Sequence, residues 1–249
     1  MKLIWKIEDA DIQRVKSFYK QYEDNLFVEQ RIEKNVNRGG QEVTRDTFWK
    51  VMVACLLSTQ QRSGPYSAVT KFLCTEPFPL DYTFCLHQED LESFVENRIS
   101  EFGGIRRSAK IAEAISVNFQ WLVGGGWDEI FAEVQLLKDE KTAQTERQAA
   151  RFMAKKLKGF GPKQSRNLLQ SLGLARYEIP VDSRITRWLN DFGFPVKLTA
   201  TALSDENYYS FVLDGLQELC RLSNIYPCVL DAAIFASFDP EWPEASLVW

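Results

Sequence analysis

Histidine is nearly absent: His87 stands alone in 249 residues. One imidazole cannot build a His-rich metal site, and it argues against zinc hydrolases and Ser-His-Asp hydrolases. The five cysteines, at 55, 74, 85, 220 and 228, are odd in number and lack CxxC spacing. They read as buried or free thiols in a reducing compartment. No apolar run approaches the length of a membrane span. The opening residues, MKLIWKIEDADIQRVK, set acids directly behind a short apolar patch, which does not suit a secretory signal. A cytoplasmic protein without membrane contact is expected. Sustained period-two alternation with hairpin turns is also missing, which disfavours a sheet, and no internal repeat or low-complexity tract stands out.

What is there is helical spacing. Apolar residues make up 45% of the chain, enough for a sizeable core in one large domain or two lobes. Phe48, Val51, Met52, Cys55 and Leu56 follow the i, i+3, i+4, i+7 pattern, as do Ala150, Met153, Ala154 and Leu157. Ile111, Ala114 and Ile115 repeat it, and so do Val212, Leu213, Leu216 and Cys220. Stretches such as GGIRRS, VGGGWDE and GFPVKL read as connections. The fold class predicted is all-α and two-lobed. A helical segment over 1–45 is expected to pack with a C-terminal segment over 193–249, around a central helical domain over 46–192.

Charge is unevenly spread. The net charge is -4, yet residues 155–187 hold eight basic residues against Glu178 and Asp182, a local +6 that leaves -10 elsewhere. Such a patch on an acidic body suits a polyanion, with a solvated helix face as the plain alternative.

Within that segment runs GFGPKQSRNLLQSLGLARYEIPVDSR. The preceding ERQAARFMAKKL reads as a helix whose closing lysines suit the negative end of its dipole. Gly159 and Gly161 permit a tight turn and close approach, and Pro162 fits the first position of the next helix. Free backbone N–H groups there form a seat for a phosphate, with Lys158, Gln164, Ser165 and Arg166 able to add contacts. Lys163 falls in the first helical turn, which disfavours a positive charge, and Asp182 lies one helix and return later. Each has an ordinary reading as well: a solvent-exposed lysine, and an N-cap aspartate.

LKGFGPKQSRNLL resembles the helix-hairpin-helix of DNA repair proteins. Together with IPVDSRITRWL it is similar to the helix-hairpin-helix-GPD superfamily of DNA glycosylases, named for a Gly/Pro-rich loop ending in Asp. FWKVMVACLLSTQQRS and FGGIRRSAKIAEAI look like the DNA-facing loops and helices of endonuclease III-like members, so the resemblance covers roughly residues 46 to 192. It implies an enzyme of base-excision repair acting on damaged double-stranded DNA, a two-lobed helical fold with the DNA cleft between lobes, and a monomer. It also implies that Lys163 attacks the sugar C1′ to form a Schiff base, with Asp182 stabilising charge and assisting proton transfer, so that base release is followed by β-elimination at the abasic site. A flipped base leaves a gap. By loop resemblance Gln60 would fill that gap and Ile105 would wedge into the stack, with Arg106, Arg107 and Arg62 on phosphates. Gln60 in a capped loop and Ile105 in the core are the structural alternatives. The hairpin of such proteins also holds a monovalent cation on backbone carbonyls, here those of 158–161.

Departures narrow the reading. Many endonuclease III-like members end in four cysteines around an iron-sulfur cluster, whereas only Cys220 and Cys228 stand near this end; no cofactor is expected. That favours the 8-oxoguanine branches over oxidised-pyrimidine enzymes. The chain ends SLVW, where compact microbial forms place a lysine, so the lesion stays open. Trp242, Trp249 and Tyr208 could stack on a base, though aromatics in helical domains are mostly core. A non-catalytic DNA-binding hairpin module, a water-using glycosylase and a helical protein-interaction domain are the competing readings. If the chain is bacterial or archaeal, association with the nucleoid is expected.

Overall fold

The computed structural model describes residues 4–37, 42–61 and 64–239. Among them there is no strand. The helices are α1 (Asp9–Lys20), α2 (Leu26–Arg31), α3 (Arg45–Leu57), α4 (Ala68–Leu73), α5 (Tyr82–Leu86), α6 (Leu91–Phe102), α7 (Ser108–Trp121), α8 (Trp127–Asp139), α9 (Ala143–Lys156), α10 (Pro162–Ser171), α11 (Ser183–Phe192), α12 (Glu206–Ser223) and α13 (Pro227–Phe238). Wider π-type turns follow α2 (Ile32–Asn37) and join α7 to α8 (Leu122–Gly126). The glycine run expected to be a plain connection is therefore helical, broken only where Gly125 adopts φ 115°.

Apolar residues collect into two cores. The first gathers α3 to α10, from Val43 to Ala175. At its centre Trp49 donates its indole N–H to the Leu80 carbonyl at 2.8 Å, and Trp127 donates to the Tyr82 hydroxyl at 2.9 Å, so both large rings are buried with their one polar atom satisfied. The second core gathers Val15 and Val28 with α11, α12 and α13. α1 packs on α12 and α2 on α13, so the two ends of the described chain share one lobe. Trp5 seals this lobe against Phe211 and Phe194. A Cβ at Gly215 would fall 2.4 Å from the Trp5 ring, which is why a glycine interrupts an otherwise apolar helix face there.

The junction falls earlier than composition suggests. Ile179, Val181, Ile185 and Leu189 belong to the second core, so the chain changes lobe at 176–178 and not near residue 192. The polar, glycine-containing stretch after α11 is a loop within the second lobe. No single helix among the described residues is long and apolar enough to cross a membrane; α12 and α13, an apolar pair, meet at 96° and bury their apolar residues in the core.

Candidate active site

The hairpin forms at the lobe junction. α9 ends at Lys156, residues 157–161 turn, and Pro162 opens α10 as its first residue. Gly159 sits at φ +84°, and a Cβ there would lie 2.7 Å from Leu56 Cδ2 of α3. Gly161 differs: its missing side chain faces open space, leaving its backbone accessible to a ligand. Asn118 of α7 braces the turn, its Oδ1 accepting from the Lys158 N–H at 2.7 Å and its Nδ2 donating to the Lys158 carbonyl at 3.1 Å. That carbonyl, one of those expected to hold a cation, already accepts this bond.

Lys163 is half-buried, second in α10, and carries no hydrogen bond or ion pair among the described residues. It lies close to Cys55 of α3, whose thiol burial pushes up to about 12 while the lysine charge pulls the other way. Lys163 lines a cleft between the lobes, and Asp182 lines the same cleft. Asp182 is the N-cap of α11: its Oδ1 accepts from the N–H groups of Arg184 at 2.8 Å and Ile185 at 3.0 Å. Its Oδ2 meets the Arg184 guanidinium at 3.2 Å, and Arg184 is drawn away by a shorter bond of 2.6 Å to Asp239. The cap thus uses one oxygen of the carboxylate and Arg184 the other.

The return loop that delivers Asp182 is tied at every turn. The Glu146 carboxylate of α9, fully buried, accepts the N–H groups of Arg176, Tyr177 and Glu178 at 3.0, 2.7 and 2.9 Å. Burial pushes this carboxyl up to about 7, against the pull of those three amides. Glu178, also buried, pairs with Arg147 at 2.8 Å and Arg166 at 2.7 Å and accepts from Gln217 at 2.9 Å. The Tyr209 hydroxyl of α12 donates to the Ile179 carbonyl at 3.0 Å and accepts from the Val181 N–H at 2.5 Å.

Several expected DNA contacts are placed elsewhere. Arg166, expected on a phosphate, is fully buried between Glu178 and Glu206, with its guanidinium 4.5 Å from the Tyr209 ring centre, and joins the lobes. Gln164 is buried and donates to the Cys55 carbonyl and the Thr59 hydroxyl, both at 2.6 Å, and Ser165 is buried with its hydroxyl on the Pro162 carbonyl. Ile105 is only 9% exposed and belongs to the first core, the structural alternative to a wedge. Much of the +6 segment is neutralised by acids: Lys156 by Glu129, Lys158 by Glu113, Arg184 by Asp182 and Asp239.

Others are brought together. Gln60, exposed at φ 56°, accepts from the Arg107 guanidinium at 2.6 Å through its side chain and from Arg106 at 2.9 Å through its carbonyl. Two loops 46 residues apart thus form one exposed polar edge. Tyr208 packs towards Phe211, away from the cleft. Arg62, Trp242 and Trp249 lie outside the described residues.

The cleft also holds groups that no motif signals. Asp231 of α13, 9% exposed, accepts from Gln170 Nε2 at 2.6 Å and has Arg31 at 3.9 Å; burial pushes it up to about 6, Arg31 opposing and Asp182 adding to the shift. The Gln170 Oε1 is buried without a partner among the described residues. An isolated acid within PCVLDAAIFASF, a helix apolar on all sides, is the sequence signal that could have found Asp231.

A hairpin-borne lysine and a loop-borne aspartate thus line one cleft between two helical lobes, and the fold is that of helical DNA glycosylases of known structure. In particular, the chain is similar to the 8-oxoguanine DNA glycosylase of Thermotoga maritima, with a TM-score of 0.68 and 16% identity over 94% of this chain and 100% of that one. It is similar also to the 8-oxoguanine DNA glycosylase of Methanocaldococcus jannaschii, with a TM-score of 0.66 and 16% identity over 95% and 98%. No protein-family model matches the chain, and no curated protein matches it in sequence.

Proposed function

We propose that this protein is a base-excision repair DNA glycosylase for an oxidised base, with 8-oxoguanine the first substrate to test, and that it also cleaves the resulting abasic site. The observation that carries the reading is the convergence of Lys163 and Asp182 on one cleft from separately anchored elements. Neutral Lys163 attacks the sugar C1′, the glycosidic bond breaks, and the base leaves with its electron pair and takes up a proton. Asp182, through the oxygen not used in capping, stabilises positive charge developing on the sugar and moves protons in the imine-forming steps. Loss of the C2′ proton from the imine then expels the 3′ phosphate. Asp231, Arg31 and the unpartnered Gln170 carbonyl offer acceptors and a donor to the polar edge of an extruded base. Gln60, Arg106 and Arg107 form the edge that meets the duplex. The likeness of fold to two 8-oxoguanine glycosylases supports the choice of first substrate.

The test is borohydride trapping on duplexes carrying 8-oxoguanine, an oxidised pyrimidine or an abasic site. The expected result is a covalent adduct with the wild type and none with Lys163→Gln, which still binds DNA. Base release without an adduct would indicate a water-using glycosylase, and binding without either would indicate a non-catalytic hairpin module.

A further inference from the structure

Asp182 is fixed to its own helix by capping, but capping says nothing about where α11 begins relative to α10. Three anchors govern that spacing. Glu146 holds the N–H groups up to Glu178, and the Glu178 side chain reaches Arg166, three residues beyond Lys163 on α10. Between Glu178 and Asp182 the chain reads Ile179-Pro180-Val181. Pro180 has no N–H and lines the cleft beside Asp182. The backbone on either side of it is bound by one side chain, Tyr209, whose hydroxyl bridges the Ile179 carbonyl and the Val181 N–H. Tyr209 is fully buried and lies in α12, outside both the hairpin and the return loop. Its ring carries the Arg166 guanidinium at 4.5 Å, so one residue touches the helix of Lys163 through its face and the loop of Asp182 through its hydroxyl.

We infer that Tyr209 is a positioning residue for the reaction: its hydroxyl sets the last three residues of the return loop and thereby aims the Asp182 carboxylate across the cleft at the atoms Lys163 attacks. This rests on the glycosylase reading above. A tyrosine needed only to fill the core would not need its hydroxyl there, because phenylalanine fills the same space and keeps the cation–π face. Removing the hydroxyl strands one buried carbonyl and one buried N–H immediately before Asp182, and the loop relaxes to satisfy them.

The experiment is a double-mutant cycle on the full chain, reading single-turnover base release and imine trapping on the damaged duplex for wild type, Tyr209→Phe, Asp182→Asn and the double variant. DNA affinity, thermal unfolding and amide exchange at residues 179–182 are followed in parallel. Tyr209→Phe is expected to slow base release on the order of 10- to 100-fold, as a carboxylate displaced by about an ångström would. Affinity should be unchanged, and exchange should quicken at Val181. In the Asp182→Asn background the same change should cost no more than about twofold, the margin within which independent effects add. Equal losses in both backgrounds, no loss in either, or a Tyr209→Phe chain that fails to fold would each overturn the inference while leaving the glycosylase reading intact. A wild-type chain that neither releases a base nor traps would overturn that reading and, with no reaction for Asp182 to serve, this one with it.

Discussion

Asp182 caps α11 and, in the proposed reaction, also supports the chemistry; substitution can separate the two roles. Asparagine caps a helix as well as aspartate does but carries no charge. Asp182→Asn is therefore expected to keep unfolding free energy within about 0.5 kcal/mol of wild type, while base release falls on the order of 100-fold or more. Asp182→Ala should lose activity and also about 1 kcal/mol of stability. Urea unfolding beside single-turnover rates checks both. Gly159 is the other residue whose role is local. Alanine there would be forced to φ +84° with its methyl against Leu56, at a cost of about 1–3 kcal/mol visible in chemical unfolding. Lys163 and Asp182 were legible because the hairpin and return loop are one continuous stretch, with glycine, proline and cap chemistry written in order. Asp231 was not: what makes it distinctive is burial beside Gln170 and Arg31, residues 61 and 200 positions away in the chain, and no local pattern encodes that meeting.

At the level of elements, α10 shows why polar residues near a helix start mislead. Gln164, Ser165 and Arg166 have the chemistry of phosphate contacts, and sequence alone places them beside a basic turn. The partners of Gln164 and Arg166, which are Cys55, Thr59, Glu178 and Glu206, come from α3, the turn after it, the return loop and α12, which close over the helix. Truncating Arg166 to Met would leave buried Glu178 with Arg147 alone and Glu206 with Arg151 alone, and a loss of about 3 kcal/mol in urea unfolding is expected. The return loop adds a pH dependence. Glu146 ordinarily ionises near 4.5 and in the fold near 7, so the folded chain binds its proton more tightly than the unfolded one. That preference is fully present below pH about 4.5 and is lost as pH rises towards 7; Asp231, raised from 3.8 to about 6, acts in the same direction. Unfolding free energy should fall across this window, and Glu146→Gln should make the decline shallower whatever it does to the absolute value.

The whole molecule carries less free positive charge than its sequence suggests. If all eight basic residues at 155–187 met phosphates, the logarithm of the binding constant would fall with that of salt at a slope of about -7. With acids covering Lys156, Lys158 and Arg184 and with Arg166 inside the protein, the exposed basic side chains that remain include Lys155, Arg106 and Arg107. A slope of about -3 to -4 is expected, read from fluorescence anisotropy over a salt series. The helical class and the place of the cleft were readable from period and motif. The lobe junction was not, because residues 176–178 look like part of the motif and only packing shows Ile179 turning to the second core.

That second core also imposes an order on the birth of the molecule. Residues 43–175 are a continuous stretch with a core of their own, so as the chain leaves the ribosome this lobe can condense once α10 has emerged. α1 and α2 are synthesised before that lobe, yet the helices they chiefly pack on, α12 and α13, appear nearly two hundred residues later. Throughout that interval Val15, Phe18, Phe27 and Val28 are apolar surface without a home. α1 and α2, made before the first lobe, are thus secured only after it, and they are where a chaperone has the longest time to bind.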